Sequence, residues 1–567
     1  MPWAHGSRAA GRPVLLSPAM EFNFADMFEA NVDGVGDRVA LVFEDTRLTF
    51  TELEAEVNRL AHHFMTAGVQ VGDHVGIYAY NGVEWVEAMA ALYKIRAVPV
   101  NINYRYVESE LRYLFDNADL RAVVLQREFA PRVAAILDDL PLLTHLVVSD
   151  DGSGASLDGL AGRAGVTVVD YAEAKAAESP VRDFAPRSSD DIHMIYTGGT
   201  TGMPKGVMWR QEDIFYTLCG GIDTYSNEKV QRPEELSERA LAAAGPTVFF
   251  PIAPLMHGAG QVSTIRGLIH GDTTVLVKKF DAAEAWRLCD REKVNVLGIT
   301  GDAMARPLAD ALEEMYADLD LSNLFSIGSS AAIFSQSIKE QFMARLPNVL
   351  IVDSVGATET GMNGIKIAQA GDKPKGGPAT VTPSRDSIVI DEDFKQVEPG
   401  SEVVGRIART GNIPLGYYKD AERTAQVFPT IDGVRYSVPG DFAKVEADGS
   451  ITLLGRGSIV INTGGEKVYP EEVEGALKGH PEVFDVLVVG IPDERWGEAV
   501  AAVVQPREGN TPTLESLSSH CRELVAGYKV PKRLFLVDQI VRAPSGKPDY
   551  PWAKEYAKAA AAAAAGA

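Results

Sequence analysis

At 567 residues the chain is too long for one ordinary core, and length alone predicts roughly three to five domain-sized units. A hydrophobic content of 46% with 23% charged residues is that of a globular protein and excludes a largely disordered one. The formal charge of -24, from 54 basic against 78 acidic residues, argues against general affinity for nucleic acid or anionic lipid, while leaving room for a small anion held by a local field.

The first twenty residues are small, basic and Pro-containing, and "PVLLSPAM" is too short and interrupted for a signal-peptide core. They read as a disordered leader upstream of a start at Met20. Next, "TELEAEVNRLAHHFMTAG" predicts a helix: Leu53, Val57, Leu60 and Phe64 recur at helical intervals, Thr51 and Glu54 have capping-box spacing, and Gly68 supplies a stop. The strand "HVGIYAY", the helix "VEWVEAMAALYK" and the strand "AVPVNI" follow, an order that implies parallel pairing. The same pattern returns in "DAAEAWRLCDREK" before "VNVLGIT", so 186–361 reads as further doubly wound α/β structure. After Gly400 the runs become short and β-like, with Asp448-Gly449 as a hairpin turn. Beyond Arg456 helix ("EEVEGALKGH") and strand ("VFDVLVVGI") alternate in a compact unit, with a boundary at 455–458. The end, "KAAAAAAAGA", reads as a frayed helix or as nothing structured. No apolar run is long enough to span a bilayer. Cys219, Cys289 and Cys521 lie far apart, form no metal-type cluster and give no disulfide framework, which predicts a reducing, cytoplasmic setting.

Between Met194 and Trp209 two apolar pieces flank "TGGTTGMPKG". Glycines after a strand let backbone N–H groups approach an anion, Thr197, Thr200 and Thr201 add hydroxyls, and Lys205 adds charge; a solvated loop is the bland alternative. The stretch is not a Walker A loop, since Lys205 stands between Pro204 and Gly206.

The whole string, Tyr196 to Gly206, resembles the phosphate loop of the adenylate-forming superfamily of acyl-CoA synthetases, luciferases and adenylation domains, with Gly198 where Ser is usual. Further motifs resemble that family in its order, from Phe22 to Trp552. "FFPIAPLMHGAG" is similar to its acyl-pocket motif and implies His257 and Gly258 at the pocket. "GSSAA", with Ser330 and Ala331, is similar to the adenine-site wall. "DSVGATETG" implies nucleotide contacts at Asp353, Ser354 and Thr358 and a Mg²⁺-holding carboxylate at Glu359, with Val355 where an aromatic is usual. Asp441 matches the ribose-binding carboxylate, with Pro439 in place of Thr, and Arg456 matches a nucleotide contact. Ser458 falls at the hinge, where Asp or Lys is commoner. Gly464, Gly465, Glu466 and Lys467 match the coenzyme A route, and "YKVPK", Tyr528 to Lys532, is a basic patch suited to its outer phosphates. Lys547 matches the catalytic lysine, beside Pro548 and Tyr550.

The resemblance implies an α/β fold: a large N-terminal domain of doubly wound subdomains with a β-rich subdomain (21–455), a hinge (456–458), a small mobile α+β domain (459–553) and an Ala-rich tail (554–567). The implied catalytic set is Lys547, Glu359, Thr201 and Lys205; Thr197, Gly198, Gly199, Thr200, Thr201 and Gly202 would cradle the nucleotide. ATP, Mg²⁺ and coenzyme A are the implied cofactors. The implied activity is an acyl-CoA ligase working through an acyl-adenylate. Loading of a separate carrier protein is the alternative, disfavoured because the chain ends soon after Lys547, and a nucleotide sensor is a third reading. "FYTLCGGID" and the pocket motif show no cation for an amino acid, which favours an apolar acid, and the departures in "VPGDFA" and "PSGKPDYPWAKE" look most like actinobacterial fatty-acid and steroid side-chain ligases. Monomer and homodimer stay open, as does a peripheral membrane contact during substrate capture.

Overall fold

The computed structural model describes residues 20–160, 162–199, 202–223, 226–330, 332, 334–372, 380–456, 459–463, 466–493, 496–542 and 547–565. The leader, Thr200, Thr201, Ala331, Ser458, Gly464 and Gly465 lie outside the described residues.

The helix Phe50–Thr66 buries the stripe read from its spacing, with Leu53, Val57, Leu60 and Phe64 at 0% exposure. Its cap differs from the expectation. Thr49 and Glu52, not Thr51 and Glu54, form the capping box, the Glu52 N–H donating to Thr49 Oγ1 and the Thr49 N–H to Glu52 Oε2. Both pairs have the right spacing, but the pair that caps is the one whose Thr keeps extended backbone before the first turn. Glu54 instead faces the core, where Lys94 Nζ reaches it at 2.8 Å and Arg182 Nε at 2.7 Å.

Two large sheets carry the molecule. In the first, Leu350–Ala357, Ser326–Ser329, Val296–Ile299, Val248–Pro251, Thr273–Leu276 and Val39–Phe43 run parallel in that spatial order, and antiparallel strands extend it on both sides. In the second, Ile192–Gly199, Val98–Asn101, His74–Tyr78, Leu120–Gln126, His145–Ser149 and Thr167–Asp170 are parallel, and Gly202–Arg210 and Gly416–Tyr417 close one edge antiparallel. Helices on their faces bury the apolar cores, which is the doubly wound solution for strands too hydrophobic to face water. The β-rich part predicted after Gly400 is present: Asp441–Val445 and Ile451–Arg456 form a hairpin whose Gly449 has φ +82°, where Asp448-Gly449 was read as the turn.

After 458 a small sheet centres on the long hairpin Val483–Asp493 and Gly497–Pro506, covered by the helices Pro470–Leu477 and Tyr550–Ala565. Of the two readings of the alanine run, helix or nothing structured, the run is helical as far as Ala565. The helix Tyr550–Ala565 crosses 553, where the tail was expected to begin, and Ala553 and Ala557 ahead of the run and Ala561 within it pack with Leu487, Val489 and Val503. All three cysteines are free and buried. Among the described residues no helix is long and apolar enough to cross a membrane.

Candidate active site

The described residues on either side of Thr200 and Thr201 are two antiparallel strands. Ile192–Gly199 pairs with Gly202–Arg210 in register, Thr197 opposite Lys205 and Gly199 opposite Gly202. The β-ladder continues up to these two glycines. Lys205 is ion-paired with Asp420, which also accepts the Arg423 N–H at the start of the helix Ala421–Val427.

Thr358 and Glu359 sit in the tight turn joining Leu350–Ala357 to Gly361–Ala368, not on a helix end. Gly361 is required there: its φ is +68°, and a Cβ would meet Thr217 Cγ2 at 1.9 Å. The turn is fastened at three points. Trp209 Nε1 donates to the Thr358 carbonyl at 3.0 Å, Ser437 Oγ donates to the Glu359 carbonyl at 2.6 Å, and the Tyr417 hydroxyl donates to Glu359 Oε1 at 3.0 Å. Trp209 comes from the strand Gly202–Arg210, and Tyr417 pairs with Val207 of the same strand. Glu359 is therefore tied to the strand that carries Lys205.

The acyl-pocket motif meets the same turn. A Cβ on Gly258 would lie 3.3 Å from Ile195 Cδ1 and 4.0 Å from Thr358 Oγ1, so the start of the helix Gly258–His270 touches both motifs. Asn101 fixes this junction by donating to the carbonyls of Tyr196 and Met256 at 2.9 and 2.7 Å. His257 caps that helix, and burial, then the charges of Lys547 and Arg105, push its imidazole down to about 4. It is neutral at physiological pH, with Nε2 buried and unpartnered among the described residues. Lys547, more than two hundred positions later, thus faces the acyl motif closely enough for its charge to be felt.

The sequence matches the model of the AMP-binding enzyme family over residues 28–418 and that of the AMP-binding enzyme C-terminal domain over 472–547. The chain belongs to the AMP-binding enzymes. It is 52% identical over 545 residues (95% of this chain, 98% of the relative) to a medium/long-chain-fatty-acid–CoA/3-oxocholest-4-en-26-oate–CoA ligase of Mycobacterium marinum. It is 50% identical over 540 residues (94% and 96%) to a 3-oxocholest-4-en-26-oate–CoA ligase of Rhodococcus rhodochrous. In fold it is similar to the anthranilate CoA ligase AuaEII in complex with anthranoyl-AMP, with a TM-score of 0.81 at 24% identity over 96% of this chain and 98% of that one.

The remaining motif residues of this AMP-binding enzyme occupy the ends of neighbouring strands. Ser330 directly follows Ser326–Ser329, and Asp353 and Ser354 lie on Leu350–Ala357 next to it, with Ser329 opposite Asp353. Asp353 is ion-paired with Lys339, and burial raises its carboxyl. Val355 packs on the β-rich core of Val381, Val389 and Ile407. Asp441 and Arg456 stand opposite each other in register. Glu466 and Lys467 begin a strand paired with Ile461–Thr463, Thr463 opposite Glu466.

Part of the basic patch read from "YKVPK" has another use: Lys529 Nζ is held by Glu472 at 2.6 and 2.7 Å, because the chain folds that lysine over the start of a helix whose first turn is acidic. Sequence reasoning also passed over Arg105, which reaches the neighbourhood of His257, and Arg266, which lies behind Cys219–Gly221 with its guanidinium 4.5 Å above the Phe249 ring. It treated "GYYKD" only as a β-like run, yet Tyr417 and Asp420 contact Glu359 and Lys205. Only the strand pairing of Tyr417 with Val207 announces this.

Proposed function

We propose that this AMP-binding enzyme is an ATP-dependent acyl-CoA ligase that activates an apolar carboxylic acid, either a medium- to long-chain fatty acid or a steroid side-chain acid, and transfers it to coenzyme A. The reading is supported by Lys547 lying within range for its charge to lower the imidazole of His257 at the start of the acyl-motif helix, on a chain that matches the AMP-binding family models over 28–418 and 472–547.

In the first step a carboxylate oxygen attacks the α-phosphorus of ATP. The bond from that phosphorus to its bridging oxygen breaks, and pyrophosphate leaves with the electron pair. An anion approaches a polyanion, so positioning and charge neutralisation govern the barrier. No base is needed, since carboxylic acids are ionised at neutral pH. In this reading Thr197, Lys205 and the hairpin amides take the outer phosphates, Asp441 takes the ribose hydroxyls, Arg456 takes a nucleotide oxygen, and Lys547 bridges the acid and α-phosphate as charge builds. His257, kept neutral by burial, adds no second positive charge.

Glu359 fits Mg²⁺. Tyr417 occupies its Oε1, leaving Oε2 without a partner among the described residues, and one carboxylate oxygen beside a triphosphate suits a hard cation that retains several waters. Held there, Mg²⁺ would neutralise phosphate charge.

In the second step the thiol sulfur of coenzyme A attacks the acyl carbon, the carbon–oxygen bond to AMP breaks, AMP departs, and the thiol proton passes to solvent. In this reading Lys547 occupies the side the thiol must use, and the small domain turns about Ser458, withdraws Lys547, and brings the segment from Gly464 to Lys467 to the pantetheine arm.

Pyrophosphate release measured with a panel of acids, with and without coenzyme A, tests the reading. The expected result is release with fatty or steroid side-chain acids and thioester only when the thiol is present. Lys547→Ala should block acyl-adenylate formation and largely spare thioester formation from preformed acyl-adenylate. Absence of pyrophosphate release with every acid, despite ATP binding, would overturn it.

A further inference from the structure

The described residues on either side of 543–546, next to Lys547, are anchored by buried polar and charged groups. Arg542 and Pro548 form a β-bridge, Arg542 grips Asp485 with two hydrogen bonds of 2.6 and 2.7 Å, and the Tyr550 hydroxyl donates to Glu474. Beside Asp485 stands Lys478, its side chain 1% exposed, 3.5 Å from Asp485 Oδ1. On its other side Lys478 Nζ is 3.1 Å from Oδ2 of Asp302, which belongs to the large domain. Asp302 opens the helix Asp302–Met315, and its Oδ1 accepts the Ser335 N–H at 2.7 Å, which orients the carboxylate. Its Oδ2 has no hydrogen-bond partner among the described residues, so its contact with Lys478 is an ion pair alone. An unbroken series of contacts therefore runs from the large domain through Lys478, Asp485 and Arg542 to the Arg542–Pro548 bridge beside Lys547.

One turn along the same helix, Arg306 is 1% exposed. Its guanidinium stacks 5.2 Å from the Phe484 ring of the small domain, and its Nε, Nη1 and Nη2 have no hydrogen-bond partner among the described residues. Burying a guanidinium without hydrogen-bond partners is unfavourable, and the charges of Asp302 and Asp485 offset that only in part against burial and the charge of Arg507. A buried ion pair that loses one member, by contrast, leaves an uncompensated charge. The two features act on the same interface with opposite sign.

We infer that Asp302 and Lys478 are a positioning pair that seats the small domain with Lys547 at the acyl site, and that Arg306 opposes this seating and keeps it reversible. Neither touches substrate. The pair favours the orientation that makes acyl-adenylate, and the arginine favours release towards thioester formation. This rests on the ligase reading with its two half-reactions.

The test measures the halves separately on the full chain: pyrophosphate–ATP exchange with dodecanoate, and thioester formation from synthetic dodecanoyl-adenylate and coenzyme A. Lys478→Met and Asp302→Asn should each slow exchange by about tenfold or more, while leaving the second half within about twofold. Arg306→Met should do the reverse, sparing exchange and slowing the second half by about threefold or more. A general loss of structure would slow both halves together and could not reverse the sign between variants. If Lys478→Met does not fold, Asp302→Asn and the double variant Asp302→Asn/Lys478→Met, which removes both buried charges, decide the matter. Equal slowing of both halves, or no slowing, by the pair variants overturns the inference. Wild-type protein that supports neither half with any acid would sink the ligase reading instead, a result distinct from a wild type that performs both while Lys478→Met fails to separate them.

Discussion

The Tyr417 hydroxyl donates to Glu359 Oε1 at 3.0 Å, across two segments 58 residues apart. Burial, then the neighbouring Glu359, raises the phenol well above its usual range, so it stays protonated and a donor wherever the protein is folded. Tyr417→Phe removes that donor and frees the carboxylate to rotate. A hydrogen bond to a charged group contributes about 1.5–3 kcal/mol, so the Mg²⁺ concentration for half-maximal acyl-adenylate formation should rise about tenfold or more. An unchanged metal dependence would remove Tyr417 from this role.

Lys205 and Asp420 predict a non-additive pair. On the proposed reading, Lys205→Ala removes a cation from the hairpin that would take the phosphates and leaves Asp420 as an uncompensated carboxylate near them. The KM for ATP should rise about tenfold, and the double variant Lys205→Ala/Asp420→Ala should bind ATP better than the single Lys205 variant. Simple addition of the two effects would show that Asp420 does not face the phosphates.

Gly258 leaves room where the acyl motif meets the hairpin. A Cβ there would lie 3.3 Å from Ile195 Cδ1, and the branches of valine would reach further into the junction. Gly258→Val should cut kcat/KM for a steroid side-chain acid more than for a straight-chain acid, by about tenfold in the ratio. Parallel loss for both acids would place the junction away from the acid's path.

Acid should destabilise the fold through its histidines. Burial pushes His193 and His270 down to about 3 and His145 and His257 to about 4, each from an ordinary 6.5. A group whose folded value is depressed contributes fully above the unfolded value and loses that contribution as pH falls towards the folded one. Glu474 has the opposite sign: burial lifts it from 4.5 to about 7, so its contribution is complete below 4.5 and fades as pH rises to about 7. Asp26, Glu87, Asp272 and Asp353 are raised in the same direction as Glu474, while Asp485, depressed to about 2, acts with the four histidines, and the large histidine shifts predict a Tm that declines from pH 6.5 towards 4. His193→Gln should flatten the decline, and a Tm constant between pH 8 and 5 would contradict the assignment.

Local order decided what the sequence could disclose. The stripe Leu53, Val57, Leu60 and Phe64, the strand–helix–strand unit from His74 to Asn101 and the hairpin around Lys205 are legible because each depends on residues within a few turns or one crossover. The capping box slipped by two residues because two Thr–Glu pairs share one spacing, and only backbone geometry separates them. The alanine run read as a tail because small side chains carry no periodic signal, although they are what lets the helix lie close to the sheet.

By itself the sequence determined the motifs, their order and so the chemistry they could perform together. Tertiary structure alone decided who holds whom: Tyr417 on Glu359, Asp420 on Lys205, Asp302 on Lys478, and Lys547 beside a neutral His257. The reason is physical. Helix and strand patterns arise from steric and burial rules acting over neighbouring residues, whereas a charge chooses its partner by distance and desolvation, and both are set only when remote segments have packed.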